Sequence, residues 1–331
     1  MKNRVVLALS LFIVLVAAAN LFPTHAQKMT EGAQTQVGNG GPPLTNPLKV
    51  ALLKWYLANQ VPTSFLVGRH PYGVVFDGAN IWTANNADAT VSKVRACDGT
   101  ILGTFGVGSG PIGLVFDGAN IWVSSNNGSS VTKLRGSDGK TLGVFQVGKN
   151  PFWMALDGQN VWVANSGDGT VSVLRASDGK ALNSINTGGA IAAAFDGTYI
   201  WISTYTTTVV RLRQDGSNAG TFTVGHNPLG IAFDGANLWV ANRGDATITK
   251  LRASDGTILG TFGTIGAPYG VAFDGQNIWA TLPDAASAVE MRASDGRIIY
   301  TPYAGSGAGG IAFDGVNMWA GATLDTIVAK L

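Results

Sequence analysis

Side chains able to perform acid–base, nucleophilic or metal chemistry are few in this chain. Beyond the N-terminal segment it has two histidines, His70 and His226, and one cysteine, Cys97. A single cysteine excludes an intramolecular disulfide and a cysteine-ligated metal cluster. The two histidines occupy different positions in different copies of the repeat described below, so a shared two-histidine metal site is not predicted. Paired carboxylates for general acid–base catalysis are not evident either, and the sequence assigns no catalytic residue.

Most aspartates belong to turns. Of the 18 aspartates, 13 lie in two recurring Asp-Gly turns. The others lie in one loop of five repeats, five or six residues after a recurring tryptophan: Asp88, Asp168, Asp245, Asp284 and Asp325. An aspartate in such a loop is expected to cap the turn by accepting hydrogen bonds from backbone N–H groups. The alternative is a calcium ion, which takes about six to eight oxygen ligands. Asn165 with Asp168 offers such oxygens in the third repeat, and Asn242 with Asp245 offers them in the fifth. The cofactor is unknown at this stage, with a divalent cation as the candidate.

The elements that carry these residues repeat at 38 to 40 residues. An Asp-Gly pair begins each unit's first turn, at Asp77, Asp117, Asp157, Asp196, Asp234, Asp274 and Asp314. Five residues later comes a tryptophan, at Trp82, Trp122, Trp162, Trp201, Trp239, Trp279 and Trp319. Each unit holds four short apolar runs separated by turns, which indicates a four-stranded antiparallel sheet (strands a to d). Seven such sheets packed radially bury both faces of each, so the sequence predicts an all-β, seven-bladed β-propeller.

The ends of the chain are expected to close this ring. The second Asp-Gly turn, between strands c and d, occurs only six times, because the seventh unit stops at Leu331 after strand c. Residues 61–67 resemble the missing strand, since they precede Gly68 as strand d precedes the matching glycine elsewhere. We therefore predict that residues 61–67 complete the last blade and leave no open sheet edge.

The N-terminal 60 residues are predicted to contain three different segments. Lys2 and Arg4 precede an apolar run, and a small-residue site ends at Ala26, so residues 1–26 are predicted to be a signal peptide and the protein to be secreted or periplasmic. Residues 27–47 are predicted to be a flexible linker and residues 48–58 a short helix beside the propeller, which extends over 48–331. No membrane span is expected in the mature chain, and a monomer is expected.

The charge balance argues against nucleic acid as a partner. The chain has 22 basic and 20 acidic residues, and the signal segment holds two of the basic ones, so the mature chain carries equal numbers. A nucleic-acid-binding domain normally shows a basic surplus on one face. The basic residues that recur on strand c, such as Lys93 and Arg95, are expected to form a solvated ring around the circumference. Glu290 replaces a lysine of this set and is expected to be solvated as well.

The repeat itself resembles a known family. The run FDGANIW, followed by TAN or VAN and by a consensus VTKLRASDGTILGTF, is similar to the YVTN-type and NHL-like bacterial β-propeller repeats over residues 61–331. The resemblance implies the seven-bladed fold and a scaffold that serves binding, lyase and hydrolase activities. Virginiamycin B lyase is the nearest enzymatic comparison; it uses a histidine and glutamate cluster with magnesium near the channel. This chain lacks a matching cluster.

Departures from the repeat locate the candidate site. Five units have glycine near the start of strand a, whereas the third has Trp153 and the fourth has Ala192. The d–a and b–c loops are expected to share one face, and the ligand-binding candidates on it are Trp153, Phe152, Tyr205, His226, Lys149, Arg243 and His70. Aromatic surfaces there suit stacking on rings, sugars or peptides, although Trp153 would also serve as a plug of the channel. The predicted function is an exported module that binds a small molecule, carbohydrate, peptide or protein through this face. The alternative is a metal-assisted lyase or hydrolase at the channel mouth.

Overall fold

The computed structural model describes residues 63–331. The predicted signal peptide, linker and short helix lie outside the described residues, as do residues 61 and 62 of the predicted closing strand. Within residues 63–331 no helix is long and apolar enough to cross a membrane.

Strands are the main regular structure of the described chain, joined by turns and short loops. The first sixteen are β1 (Ser64–Leu66), β2 (Pro71–Phe76), β3 (Asn80–Asn85), β4 (Thr90–Arg95), β5 (Ile101–Gly106), β6 (Pro111–Phe116), β7 (Asn120–Ser125), β8 (Ser130–Arg135), β9 (Thr141–Gln146), β10 (Pro151–Leu156), β11 (Asn160–Asn165), β12 (Thr170–Arg175), β13 (Ala181–Asn186), β14 (Ala192–Phe195), β15 (Ile200–Ser203) and β16 (Thr208–Leu212). The remaining twelve are β17 (Asn218–Thr223), β18 (Pro228–Phe233), β19 (Asn237–Asn242), β20 (Thr247–Arg252), β21 (Ile258–Gly263), β22 (Val271–Phe273), β23 (Asn277–Leu282), β24 (Ser287–Arg292), β25 (Ile298–Tyr300), β26 (Ala308–Phe313), β27 (Met318–Ala322) and β28 (Ile327–Lys330). Single 3-10 turns occupy four of the b–c loops: Asn86–Asp88, Asn126–Gly128, Arg243–Asp245 and Pro283–Ala285.

These strands form seven four-stranded antiparallel sheets, which confirms the predicted propeller. Blades 1 to 6 each take four consecutive strands, from β2–β5 to β22–β25. Blade 7 has the order β1-β28-β27-β26, so an N-terminal strand supplies its outer edge. Phe65 pairs with Val328 in this sheet, and its ring lies 5.4 Å from that of Trp319. The closing strand is therefore confirmed, with described bounds of 64–66.

The recurring Asp and Trp side chains bond to each other. In all seven blades the tryptophan Nε1 donates a hydrogen bond to the Oδ2 of the aspartate five residues earlier, at 2.7–2.8 Å. In blade 1 the other oxygen of Asp77 accepts from the backbone N–H groups of Ala79 and Asn80. Burial works to raise the pKa of Asp77, but the hydrogen bonds from Trp82 and Asn80 outweigh it and hold that pKa below its usual range. The spacing thus ties the a–b turn to strand b.

The tryptophans also fill the spaces between blades. Trp82 is fully buried and packs on Phe105 of its own strand d, with ring centroids 5.5 Å apart. Phe105 in turn covers Gly139 in the c–d turn of blade 2, where φ is 73° and any Cβ would overlap the ring. Glycine therefore meets two requirements here, a left-handed backbone and room for the neighbouring aromatic side chain.

The prediction of a solvated basic ring on strand c is wrong for one of its two positions. Lys93 is only 8% exposed; its Nζ lies 4.9 Å from the centroid of the Trp82 ring and donates to the carbonyl of Gly136 in blade 2, at 2.6 Å. Lys133 makes the equivalent bond to blade 3. Arg95, two residues further on, is exposed as expected. Glu290 is half-buried rather than freely solvated, because it accepts a hydrogen bond from Asn277 Nδ2 at 2.7 Å.

Candidate functional site

The d–a and b–c loops lie against each other on one face of the ring, and aspartates join them. Asp168 Oδ2 accepts a hydrogen bond from the backbone N–H of Lys149, with N to O at 2.8 Å. Asp245 Oδ2 accepts one from the backbone N–H of His226 at 2.7 Å. Asp88 and Asp325 make the equivalent bonds in blades 1 and 7. Four of the five loop aspartates thus accept backbone N–H groups, but these belong to the d–a loop 19 residues earlier rather than to the turn that holds the aspartate. Only Asp168 also accepts from its own loop, from the N–H of Thr170. The fifth, Asp284, instead faces Arg243 of the neighbouring blade, with Oδ2 to Nη2 at 3.6 Å.

The residues weighed as metal ligands make hydrogen bonds with the protein itself, except that Asn165 Oδ1 is buried without a hydrogen-bond partner among residues 63–331. Asn165 is buried and donates through Nδ2 to the hydroxyls of Thr170 and Ser172. Asn242 makes the same pair of bonds in blade 5. Asp168 and Asp245 hold the loop N–H groups described above. In the part of the chain that the structure describes, no three His, Cys, Asp or Glu side chains gather in one place.

The glycine positions of strand a surround the central channel. A Cβ at Gly113 would approach within contact distance of the Trp153 backbone, and one at Gly270 would lie 2.7 Å from a carbonyl of blade 7. Neighbouring inner strands therefore pack too closely for a side chain at these glycines. Trp153 and Ala192 also line the channel. The Trp153 ring packs edge-on against Phe152 and Tyr269, with centroids 5.2 Å and 5.1 Å away.

A second cavity opens at the loop face, and we call it the mouth pocket. It has a volume of ≈ 370 Å³ and is lined by Tyr72, Phe152, Ile191, Tyr205, Asn227, Leu229, Arg243 and Tyr269. Ile191, Leu229 and Tyr269 are buried, and they form a central apolar cluster with Tyr72, Phe152 and Trp153 partly buried against it. The pocket therefore has a buried, mainly apolar floor under an open, more polar rim.

The structure brings some of the predicted site residues together and leaves others apart. Phe152, Tyr205 and Arg243 line the mouth pocket, and Trp153 contacts its wall from the channel side. The other three candidates, His70, Lys149 and His226, lie exposed on the d–a loops and outside that lining. His226 Nδ1 bonds to Asp245 Oδ1 at 2.8 Å, so its ring is held by its own blade.

Sequence reasoning missed Tyr72 and Tyr269, as well as the apolar Ile191 and Leu229. These residues share one repeat position with Phe152, directly before the position of glycine, Trp153 or Ala192 in strand a. A comparison of that column between units would have found them, because two of its members are tyrosines.

Polar groups from blades that are not neighbours meet in the pocket. The hydroxyls of Tyr72 and Tyr269, from blades 1 and 6, form a hydrogen bond. The Arg243 guanidinium lies over the Tyr269 ring, 5.5 Å from its centroid. Tyrosine is neutral at physiological pH, and burial raises the pKa of both side chains further above its usual range.

Comparisons with solved structures show the class of fold, a seven-bladed β-propeller, and two of the structures that this chain resembles are lyases. A streptogramin B lyase structure superposes with a TM-score of 0.69 at 18% identity, covering 81% of this chain and 95% of that one. Virginiamycin B lyase from Staphylococcus aureus, in a catalytically inactive form with quinupristin, gives 0.69 at 18% identity over 79% and 94%. Hydrazine synthase from Kuenenia stuttgartiensis gives 0.69 at 16% identity over 79% and 95%. No protein-family model and no curated protein matches the chain.

Proposed function

We propose that this propeller is an exported binding module that holds a small ligand in the mouth pocket. The observation that carries the proposal is the asymmetry of the central cluster. Blades 1, 3 and 6 contribute Tyr72, Phe152 and Tyr269 to one cavity. Away from the axis the repeat is kept more closely, since five of the seven blades pair their tryptophan with a phenylalanine of the outer strand. Pockets of about 300–1,000 Å³ with apolar walls and a few polar groups are the usual form of small-molecule sites.

Tyr205 allows a direct test because it contributes to the pocket and little to the fold. Its side chain is 51% exposed, so Tyr205→Ala removes an aromatic wall at small cost in stability. Tyr300, 55% exposed on the outer strand β25, is the matched control. A thermal-shift screen of sugars, peptides and small anions identifies a ligand by the rise in melting temperature that binding causes. Tyr205→Ala should weaken binding of that ligand, whereas Tyr300→Ala should not. Equal loss in both variants, or loss in neither, contradicts a site in the mouth pocket.

The catalytic alternative stays a prediction. It requires a divalent cation, so metal analysis of the purified protein combined with a turnover assay decides between the two. A stoichiometric cation whose removal abolishes turnover would favour the lyase or hydrolase.

Export is the second part of the proposal. It is supported by the basic residues and apolar run within residues 1–26. N-terminal sequencing of exported material should find a start at or near Gln27. A mature protein that retains residues 1–26 would contradict cleavage.

A further inference from the structure

We infer that the ligand of the mouth pocket is an aromatic carboxylate, with its ring against the tyrosine and phenylalanine walls and its anionic group on Arg243. This inference rests on the proposed function and adds the chemical class of the ligand.

The walls favour a planar ring. Tyr72 meets Phe152 edge-to-face, with an interplanar angle of 86°, and meets Tyr269 at 64°. Rings in this arrangement present alternating faces and edges, and a further aromatic ring gains by adding to it. Ile191 and Leu229 close the floor without adding a polar group. The open side, next to Tyr205, admits a ligand larger than a single ring.

The charge in the pocket determines the sign of the ligand. A cage of aromatic side chains by itself attracts cations. Here the protein itself places a cation on the aromatic wall, because the Arg243 guanidinium lies over the Tyr269 ring. None of the eight lining residues is acidic, and the two tyrosines are neutral at physiological pH. A second cation would therefore be repelled, and an anion would be attracted.

Arg243 is also available for a ligand. Its acidic neighbour Asp284 is 68% exposed and stands at 3.6 Å, which is longer than a charge-assisted hydrogen bond. An exposed ion pair of this kind contributes little to stability. A ligand carboxylate can therefore replace Asp284 at the guanidinium N–H groups with little loss of free energy. The geometry of a guanidinium matches two carboxylate oxygens.

The tyrosine pair offers a further donor. Two hydroxyls that share one hydrogen bond use one of their two protons, and the bond between Tyr72 and Tyr269 is the only one that either hydroxyl makes within residues 63–331. The second proton can therefore serve a carboxylate oxygen.

Three probes with one ring system test the charge preference: naphthalene-2-carboxylate, naphthalene-2-carboxamide and 2-naphthyltrimethylammonium. Calorimetric titration of the full chain should show the carboxylate binding about tenfold or more tightly than the amide, because a charge-assisted pair is added. The ammonium should bind more weakly than the amide. Arg243→Gln should lower the affinity for the carboxylate to that for the amide. Arg243→Lys should retain part of the preference for the carboxylate over the amide. Arg252→Gln, an exposed arginine that pairs with Asp255 on the opposite face, is the matched control and should change nothing.

The outcomes separate the inference from the proposed function. Suppose that binding of the three probes depends on Tyr205, but that the carboxylate binds no more tightly than the amide or the ammonium binds best. The aromatic-carboxylate inference is then overturned, while the mouth pocket remains the binding site. If none of the probes binds, the inference is also overturned, while ligands found by the thermal-shift screen still decide the proposed function. If the probes bind and Tyr205→Ala has no effect, both fail. A preference that survives Arg243→Gln in a folded variant overturns the role given to Arg243.

Discussion

Ring closure by the N-terminal strand can be tested at one side chain. Phe65 takes the place that Phe105 holds in blade 1: it packs on Trp319 of its own blade and covers Gly99 in the c–d turn of blade 1. It is 9% exposed, so Phe65→Ala removes a buried ring from the contact between the last blade and the first. Buried Phe→Ala changes cost about 3–5 kcal/mol, and the lower end applies where the site can partly collapse. We expect Phe65→Ala to lower the free energy of unfolding by about 3 kcal/mol.

Two control variants make this measurement decisive. Leu66, the next residue, is 72% exposed, so Leu66→Ala should change stability by no more than about 0.5 kcal/mol. Phe105→Ala breaks the equivalent contact between blades 1 and 2 and should cost about as much as Phe65→Ala. Urea unfolding gives the midpoints, and an unchanged slope shows that stability alone has changed. If Phe65→Ala matches Leu66→Ala while Phe105→Ala remains costly, the N-terminal strand does not close the ring.

Three further predictions concern the core, the turns and the channel. Lys93→Met should lower the free energy of unfolding by about 1–3 kcal/mol, since it leaves a buried carbonyl unpaired. Arg95 is exposed, so Arg95→Met should lower it by only about 0–1 kcal/mol in the same urea assay. The folded-state pKa of Asp77 lies below its unfolded value of about 3.9. Its stabilisation is therefore present above that value and lost as pH falls through the folded pKa, so urea midpoints should be flat near neutrality and fall below about pH 4, less steeply in Asp77→Asn. Trp153→Gly should preserve the fold and weaken ligand binding about tenfold in calorimetric titration; a loss of stability without a loss of affinity would make Trp153 a channel plug.

The fold could be predicted because its determinants are local and repeated. The Asp-Gly turn and the tryptophan five residues later bond within one hairpin, so the period in the sequence is also the period of the blades. Closure could be predicted by counting, since six c–d turns for seven units leave one outer strand to be supplied from elsewhere. Neither the fold nor its closure required knowledge of a distance between two blades.

The site was only partly predictable because it depends on such distances. Trp153 and Phe152 stand out as departures from the repeat, but Tyr72 and Tyr269 are 197 positions apart and meet only in the closed ring, where blade 7 alone separates their two blades. Lys93 was misjudged for a related reason. A lysine on an alternating strand suggests solvent, whereas here its amine reaches the neighbouring blade, whose carbonyl takes the place of water. Contacts between blades are thus the part of this molecule that a pattern within one repeat does not contain.

That distinction also explains where a function can arise in such a ring. The spaces between blades are filled by recurring pairs such as Trp82 with Phe105, and a change in one repeat must fit an unchanged neighbour. Near the axis the inner strands converge, and side chains of blades that are not neighbours meet there, as Tyr72 of blade 1 does with Phe152 of blade 3 and Tyr269 of blade 6. Strand a of blade 3 can therefore replace glycine by Trp153, and the ring axis can gather Tyr72, Tyr269 and Arg243 around one pocket, while the outer sheets keep the repeat.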